Sequence, residues 1–110
     1  MTRYKITEWI DSKVWTEPDR TLEQDARWMG FPCTDVLRGY FKSRFGESFV
    51  SFRARLRISR AEILMRLDSD ATMASIASKC GFNQRQLFEK YFRTFRGITP
   101  AEWKKQFERK

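Results

Sequence analysis

Two sets of hydrogen-bonding side chains recur at helical spacing in this chain and are its best candidates for chemistry. The first set is Thr34, Asp35, Arg38 and Lys42, and the second is Arg85, Gln86, Glu89, Lys90 and Arg93. On a wheel of about 100° per residue, each set falls on one side of a helix. Guanidinium, amide, carboxylate and ammonium groups on an open helix face predict recognition of a partner through hydrogen bonds and charge.

Apolar side chains occupy the opposite side of both helices. They are Val36, Leu37, Tyr40 and Phe41 in the first helix, and Leu87, Phe88, Tyr91, Phe92 and Phe95 in the second. We expect this side to pack into a core, with the aromatic rings filling that core rather than stacking on nucleic-acid bases.

The two helices belong to two copies of one unit, because the chain matches itself when it is shifted by 51 residues. The identical pairs are Thr21/Thr72, Ala26/Ala77, Gly30/Gly81, Phe31/Phe82, Tyr40/Tyr91, Phe41/Phe92 and Gly46/Gly97. Two copies are too few for a solenoid, which needs three or more units. The repeat therefore favours a protein that contacts a periodic partner, such as duplex DNA, at two places.

Each copy has the pattern of a helix-turn-helix, in which a short helix, a turn containing glycine and a longer helix follow one another. Thr21 and Thr72 are expected to cap the short helices, and Gln24 completes a capping box with Thr21. Gly30 supplies the left-handed conformation that ends the first short helix. Asn83 is the expected N-cap of the second long helix.

The rest of the chain also has helical patterning, which predicts an all-α fold. Residues 4–15 form an amphipathic first helix, and residues 48–67 contain no glycine or proline and form one long helix. That helix would span about 30 Å, close to the ~34 Å of one turn of B-DNA. We predict an N-terminal helix-turn-helix subdomain over residues 1–47, a linker helix over 48–67 and a C-terminal helix-turn-helix subdomain over 68–110.

The charge of the chain favours nucleic acid as the partner. The net charge is +8 and the isoelectric point is about 9.9, which is typical of nucleic-acid-binding domains. The excess lies on the repeats and the long helix, whose arginines are Arg53, Arg55, Arg57, Arg60 and Arg66. We expect a solvated face for most of these arginines and phosphate contact for a minority. The alternative is a non-catalytic basic module that binds RNA or a partner protein through the same charge.

The residue types argue against an enzyme. The 110 residues include no histidine, which removes the commonest general base and metal ligand. Two cysteines cannot complete a structural zinc site, and the glycine-rich loops that bind nucleotide phosphates are absent from the sequence. We therefore predict no catalytic residues, no metal and no cofactor, with Cys33 and Cys80 reduced and packed. No apolar run approaches the ~20 residues that cross a bilayer, so we expect an unexported protein without a membrane partner.

The segment GFNQRQLFEKYFRTFRGITP, from Gly81 to Pro100, resembles the second-repeat signature of AraC/XylS-type transcription regulators, and Ala101-Glu102-Trp103 resembles its usual ending. Upstream, Gly46-Glu47-Ser48-Phe49 and the arginine-rich residues 56–67 are similar to the linker helix of that family. Thr21-Leu22-Glu23 is similar to the start of its first motif. The resemblance covers about residues 4–105.

This resemblance implies a monomeric domain of about seven helices. Its two recognition helices would enter successive major-groove segments on one face of double-stranded DNA. The implied function is a sequence-specific transcription regulator in the bacterial cytoplasm, associated with the nucleoid when bound. Activation is the commoner behaviour of the family, and RNA polymerase is a further candidate partner. Many relatives carry a sensor domain as well, so both a stand-alone regulator and a part of a larger protein fit the sequence.

By position, the resemblance also implies which residues read bases. They are Asp35 and Arg38 in the first recognition helix and Arg85, Gln86, Glu89 and Lys90 in the second, while Thr34 suits either a base or a phosphate. Arginine pairs with guanine, glutamine with adenine, and a carboxylate accepts from the cytosine amino group. Lys42 and Arg93 are placed for phosphates, which set register.

Two residues depart from the family pattern. Asp25 stands where the first motif normally has an apolar residue, so we expect it either to turn outward or to have a buried partner, and the first half to pack less tightly. Gly39 stands where a long polar residue is common. The glycine weakens its helix by about 0.5–1 kcal/mol relative to alanine, and the spacing from Gly30 to Phe41 is one residue longer than is usual for a first repeat.

Overall fold

The computed structural model describes residues 4–12, 21–68 and 70–108, and these residues form seven helices and no strand. The helices are α1 (Ile6–Ser12), α2 (Leu22–Met29), α3 (Thr34–Phe45), α4 (Phe49–Leu67), α5 (Met73–Lys79), α6 (Arg85–Arg96) and α7 (Pro100–Glu108). The predicted all-α fold is confirmed. The first helix begins at Ile6 rather than at residue 4, and residues 13–15 of its predicted range lie outside the described residues.

The predicted caps of the short helices are found in both copies. The Thr21 side chain accepts from the backbone N–H of Gln24 at 3.1 Å, and the Gln24 side chain accepts from the backbone N–H of Thr21 at 2.8 Å. Thr72 accepts from the N–H of Ser75 at 3.1 Å. Gly30 ends α2 with φ +96°, a conformation that strains any residue with a Cβ atom.

The prediction of Asn83 as the N-cap of α6 is wrong. The helix begins at Arg85, and the capping position belongs to Gln84, whose backbone is extended and whose side chain forms no capping hydrogen bond. The repeat explains this result, because a shift of 51 residues places Gln84 at the position of Cys33, the N-cap of α3. Both recognition helices therefore start without a side-chain cap.

The buried apolar residues form two clusters, and α4 contributes to both. The first cluster contains Trp9, Ala26, Met29, Phe31, Leu37, Phe41, Phe49 and Phe52. The second contains Ile58, Ala61, Met65, Ile76, Ala77, Cys80, Phe82, Phe88 and Phe92. The N-terminal half of α4 lines one cluster and its C-terminal half lines the other. The looser packing expected in the first half is not found, because Trp9, Met29, Leu37 and Phe41 have no exposed surface.

Phe41 and Phe92, which are equivalent in the repeat, are the aromatic centres of the two clusters. The Phe41 ring lies edge-on to Phe49 and Phe52 of α4, with centroids 4.9 and 5.1 Å away. The Phe92 ring lies edge-on to Trp103 of α7 at 6.1 Å. Both phenylalanines are fully buried, so the predicted core role of these rings is confirmed.

Asp25 has buried partners, which was one of its two expected outcomes. Its side chain is 1% exposed; its Oδ1 accepts from Trp9 Nε1 at 3.0 Å, and its Oδ2 accepts from Arg53 Nη1 at 2.8 Å. One carboxylate thus joins α1, α2 and α4. A buried charge is tolerated only when it is paired and hydrogen-bonded, and Asp25 meets both conditions.

The prediction of a solvated arginine face on α4 is wrong for Arg53 and Arg57, whereas the Arg55 side chain is 43% exposed. Arg53 binds Asp25, and Arg55 donates from Nε and Nη2 to Glu47 at 3.0 and 2.7 Å. Arg57 is 7% exposed, its guanidinium lies 5.7 Å from the centre of the Phe82 ring, and burial lowers its pKa to about 10. The periodicity of a helix gives the direction of a side chain but not the partner that another helix brings to it.

The two cysteines differ in exposure, so the prediction that both are packed is wrong for Cys33. Cys33 is exposed at the N-terminus of α3, whereas Cys80 is fully buried in the second cluster. Burial raises the pKa of the Cys80 thiol to about 12. The thiolate is the reactive form, so Cys80 is protected both by its protonation and by its position.

Replacement of Asp25 by alanine should destabilise the protein by about 2–4 kcal/mol, because it leaves the Arg53 charge and the Trp9 N–H without their buried acceptor. Urea unfolding measures the change in the free energy of unfolding. Glu47→Ala is the matched control, since it removes the partner of Arg55 at a more exposed position and should cost about 0–1 kcal/mol. Equal losses in the two variants would show that the Asp25 network does not stabilise the fold.

A thiol reagent at pH 8 should modify one cysteine in the native protein and two in denaturant. The native reaction belongs to Cys33, because Cys80 is inaccessible and protonated at that pH. The reagent is one that releases a chromophore when it reacts with a thiol, and the absorbance of that chromophore gives the number of modified cysteines. Cys33→Ser should abolish the native reaction, and a native reaction that persists in this variant would contradict the burial of Cys80.

Candidate nucleic-acid interface

The first predicted polar face lies on the outside of α3. Asp35, Arg38 and Lys42 are exposed, and Thr34 is half-buried at the N-terminus of the helix. The Asp35 and Arg38 side chains are 89% and 61% exposed, and Asp35 Oδ1 lies 3.5 Å from Arg38 Nη1. The structure thus brings the three long polar side chains of the first set to one open surface.

Val36 is exposed as well, which contradicts its predicted place in the core, but on the helix wheel it lies about 100–160° away from the polar set. It is 39% exposed. The buried direction of α3 is set by Leu37 and Phe41, and Val36 lies about 100–140° away from them around the helix. The first cluster lies toward one edge of the predicted apolar arc, where Leu37 and Phe41 stand. Val36 stands at the other edge of that arc and is exposed.

The second predicted polar face lies on the outside of α6. Arg85, Gln86, Lys90 and Arg93 are exposed, and Glu89 has a side chain that is 41% exposed. Arg85 Nε donates to Glu89 Oε1 at 2.9 Å along one turn of the helix. The opposite side of α6 carries Phe88 and Phe92 into the second cluster. All five members of the second set therefore share one surface.

Shallow grooves border both faces and include residues that the wheel analysis missed. The first groove is lined by Thr21, Leu22, Glu23, Thr34 and Arg38. The second is lined by Gln86, Glu89, Lys90, Arg93, Thr94 and Thr99. Thr21 and Thr99 lie outside the recognition helices, so helical periodicity could not place them there. Thr94 lies in α6 but outside the predicted polar set, about 40° around the helix from Lys90 and about 80–100° from Gln86 and Arg93.

An arginine–glutamate pair joins the C-terminal end of each recognition helix to α4. After α3, Glu47 binds Arg55 of α4 at 2.7 Å. In the last turn of α6, Arg96 Nη2 donates to Glu62 of α4 at 2.6 Å, and this hydrogen bond raises the pKa of Arg96. The polarity of the pair is reversed between the copies, yet each pair restrains the corresponding end of its helix.

The described part of the chain offers neither a metal site nor a membrane span. Residues 4–12, 21–68 and 70–108 contain no group of three or more acidic, cysteine or histidine side chains that could hold a metal ion. None of the described helices combines the length and the apolar composition of a membrane span.

Known proteins resemble this chain in sequence. A family profile described as a helix-turn-helix domain matches residues 34–106. The transcriptional regulatory protein YesN of Bacillus subtilis is 30% identical over 90 residues, which make up 81% of this chain and 24% of that protein. The transcriptional activator RhaR of Cronobacter sakazakii is 32% identical over 71 residues, or 64% of this chain and 25% of that protein. The chain therefore spans about a quarter of the length of these relatives.

Known structures resemble it in fold. The DNA-binding domain of AdpA, a global transcriptional factor solved in complex with a target DNA, superposes with a TM-score of 0.81 at 19% identity, covering 93% of this chain and 87% of that one. The helices and the sequence match define the class of this chain as a helix-turn-helix DNA-binding domain of transcription regulators. The chain belongs to the AraC-type family of these regulators, as the resemblance at Gly81 to Pro100 predicts.

Proposed function

We propose that this chain binds double-stranded DNA sequence-specifically by placing α3 and α6 in successive major-groove segments on one face of the duplex. The observation that carries the proposal is the pair of exposed polar faces on equivalent helices of a repeat. A face of arginine, glutamine, lysine and carboxylate groups matches the donors and acceptors of base-pair edges in the major groove. The domain would act as a monomer, since one chain supplies both helices.

The spacing of the two helices supports this proposal. α4 has 19 residues, or about 28 Å at 1.5 Å per residue, and each recognition helix packs on its own half of α4. One turn of B-DNA measures about 34 Å. The length of α4 is thus close to one turn of B-DNA, and a continuous helix packed on both halves would hold the two recognition helices in a fixed arrangement.

Each residue of the faces has a proposed role. Base edges are contacted by Thr34, Asp35 and Arg38 of α3 and by Arg85, Gln86 and Lys90 of α6, while Glu89 lies on the same face, bound to Arg85. Lys42 and Arg93, near the C-terminal ends of the faces, contact phosphates and set the register.

The regulatory role is proposed from the relatives. RhaR is named as a transcriptional activator, so we propose activation, with RNA polymerase as a protein partner at the promoter. The site of action would be the cytoplasm, at the nucleoid.

Specific DNA binding can be separated from the rival function, a basic module that binds RNA or protein by charge alone. A selected duplex site should remain bound in the presence of random competitor duplex, with a preference of about 10³-fold or more. A fluorescence anisotropy titration of the selected site against random duplex and against RNA measures this preference. Equal competition by all three nucleic acids would favour the charge-only module.

Changes on the faces should have two different signatures. Arg85→Ala and Gln86→Ala should each lose about 1–3 kcal/mol of discrimination at one base pair. Lys42→Ala should weaken all sequences alike and reduce the slope of log K against log salt by about one. Selection from a random duplex pool, followed by titrations at several salt concentrations, measures both effects. If both kinds of change leave binding to the selected site unaltered, the assignment of the recognition helices is wrong.

A further inference from the structure

We propose that Glu89 is a positioning residue that aims Arg85 at guanine, rather than a reader of cytosine. The proposal rests on the function proposed above and deepens it. Its starting point is the hydrogen bond from Arg85 Nε to Glu89 Oε1 at 2.9 Å. Both side chains lie on the open face of α6, with exposures of 58% and 41%.

The nitrogen through which Arg85 binds Glu89 determines which N–H donors of its guanidinium stay outside the pair. A guanidinium has five N–H donors in a rigid plane, one on Nε and two on each terminal nitrogen. Glu89 engages Nε, the donor nearest the backbone. This hydrogen bond does not use the terminal nitrogens, whose N–H groups together match the O6 and N7 acceptors of guanine.

Stability is not a sufficient reason for this pair. An exposed ion pair between residues one helical turn apart contributes little to folding. We expect the pair to affect DNA binding more than folding, because a long side chain loses rotamer freedom when it is immobilised at an interface. Glu89 restricts Arg85 before DNA arrives, so less of that freedom is lost on binding.

The first recognition helix provides an internal contrast. In α3, Asp35 lies 3.5 Å from Nη1 of Arg38, a terminal nitrogen, so this pair engages the tip of the guanidinium that a guanine would need. The repeat places Thr34 at the position of Arg85 and Arg38 at the position of Glu89. An arginine–carboxylate pair that engages Nε rather than a terminal nitrogen is therefore formed by Arg85 on α6, whereas Arg38 on α3 engages a terminal nitrogen.

The test uses three variants of the full chain, Arg85→Ala, Glu89→Ala and Glu89→Gln, with selected duplexes that differ at single base pairs. Arg85→Ala identifies the base pair at which Arg85 reads guanine. Glu89→Ala should reduce the preference for guanine at that same base pair by about 2- to 10-fold, the effect of immobilising one long side chain. Glu89→Gln should retain part of the preference, because its amide oxygen still accepts from Nε.

The two Glu89 variants control for charge. Both remove the same negative charge, so both should bind random duplex more tightly to the same extent, and only their guanine preference should differ. In an Arg85→Ala background, Glu89→Ala should have no further effect on base preference. A preference lost at a different base pair, or an additive effect in the double variant, would identify Glu89 as a base reader and overturn the proposal.

A measurement without DNA separates failure of this proposal from failure of the proposed function. Nuclear magnetic resonance of the arginine Nε–H groups should show a protected Arg85 signal that exchanges faster with water in Glu89→Ala than in the unaltered chain. Equal exchange in the two proteins would mean that the pair does not form in solution, and the proposal would fail even if specific DNA binding were demonstrated.

Discussion

The burial of one helix in two separate cores is the constraint on which the rest of this structure depends. Phe49 and Phe52 fix the N-terminal half of α4 in the first cluster, and Ile58, Ala61 and Met65 fix its C-terminal half in the second. α3 and α6 each pack against the adjacent half. Burial of these apolar side chains thus sets how α3 and α6 are placed relative to α4. The polar faces of α3 and α6 do not contribute to the two cores, so their residue types can suit contact with a partner.

Polar contacts refine this placement without replacing it. The carboxylate of Asp25 connects α1 and α2 to Arg53 of α4. The Arg55–Glu47 and Arg96–Glu62 pairs hold the ends of the recognition helices to α4. Much of the positive charge on α4 therefore serves internal bonds. The exposed charge on α3 and α6 is not used in these internal bonds, and it is the charge to which we assign the proposed contact with DNA.

The sequence predicted most of the fold because its signals are local. Caps such as Thr21 with Gln24, the glycine turn at Gly30 and the repeat over 51 residues all depend on neighbours within a few positions or on self-similarity. The open faces followed from periodicity for the same reason. The partners of Asp25 could not be predicted, since Arg53 is 28 residues away along the chain. The exposure of Val36 depends on the orientation of α3, in which Phe41 packs against Phe49 and Phe52 of α4. A local sequence pattern carries no information about that packing.

The length of α4 has an evolutionary consequence. Insertion of one residue between Phe52 and Ile58 would turn the second half of the molecule by about 100° and advance it by about 1.5 Å relative to the first. In the proposed mode of binding, the polar faces of α3 and α6 would then no longer meet the same side of a straight duplex. Exchanges of residue type between the two cores would preserve that geometry, whereas insertions and deletions would not.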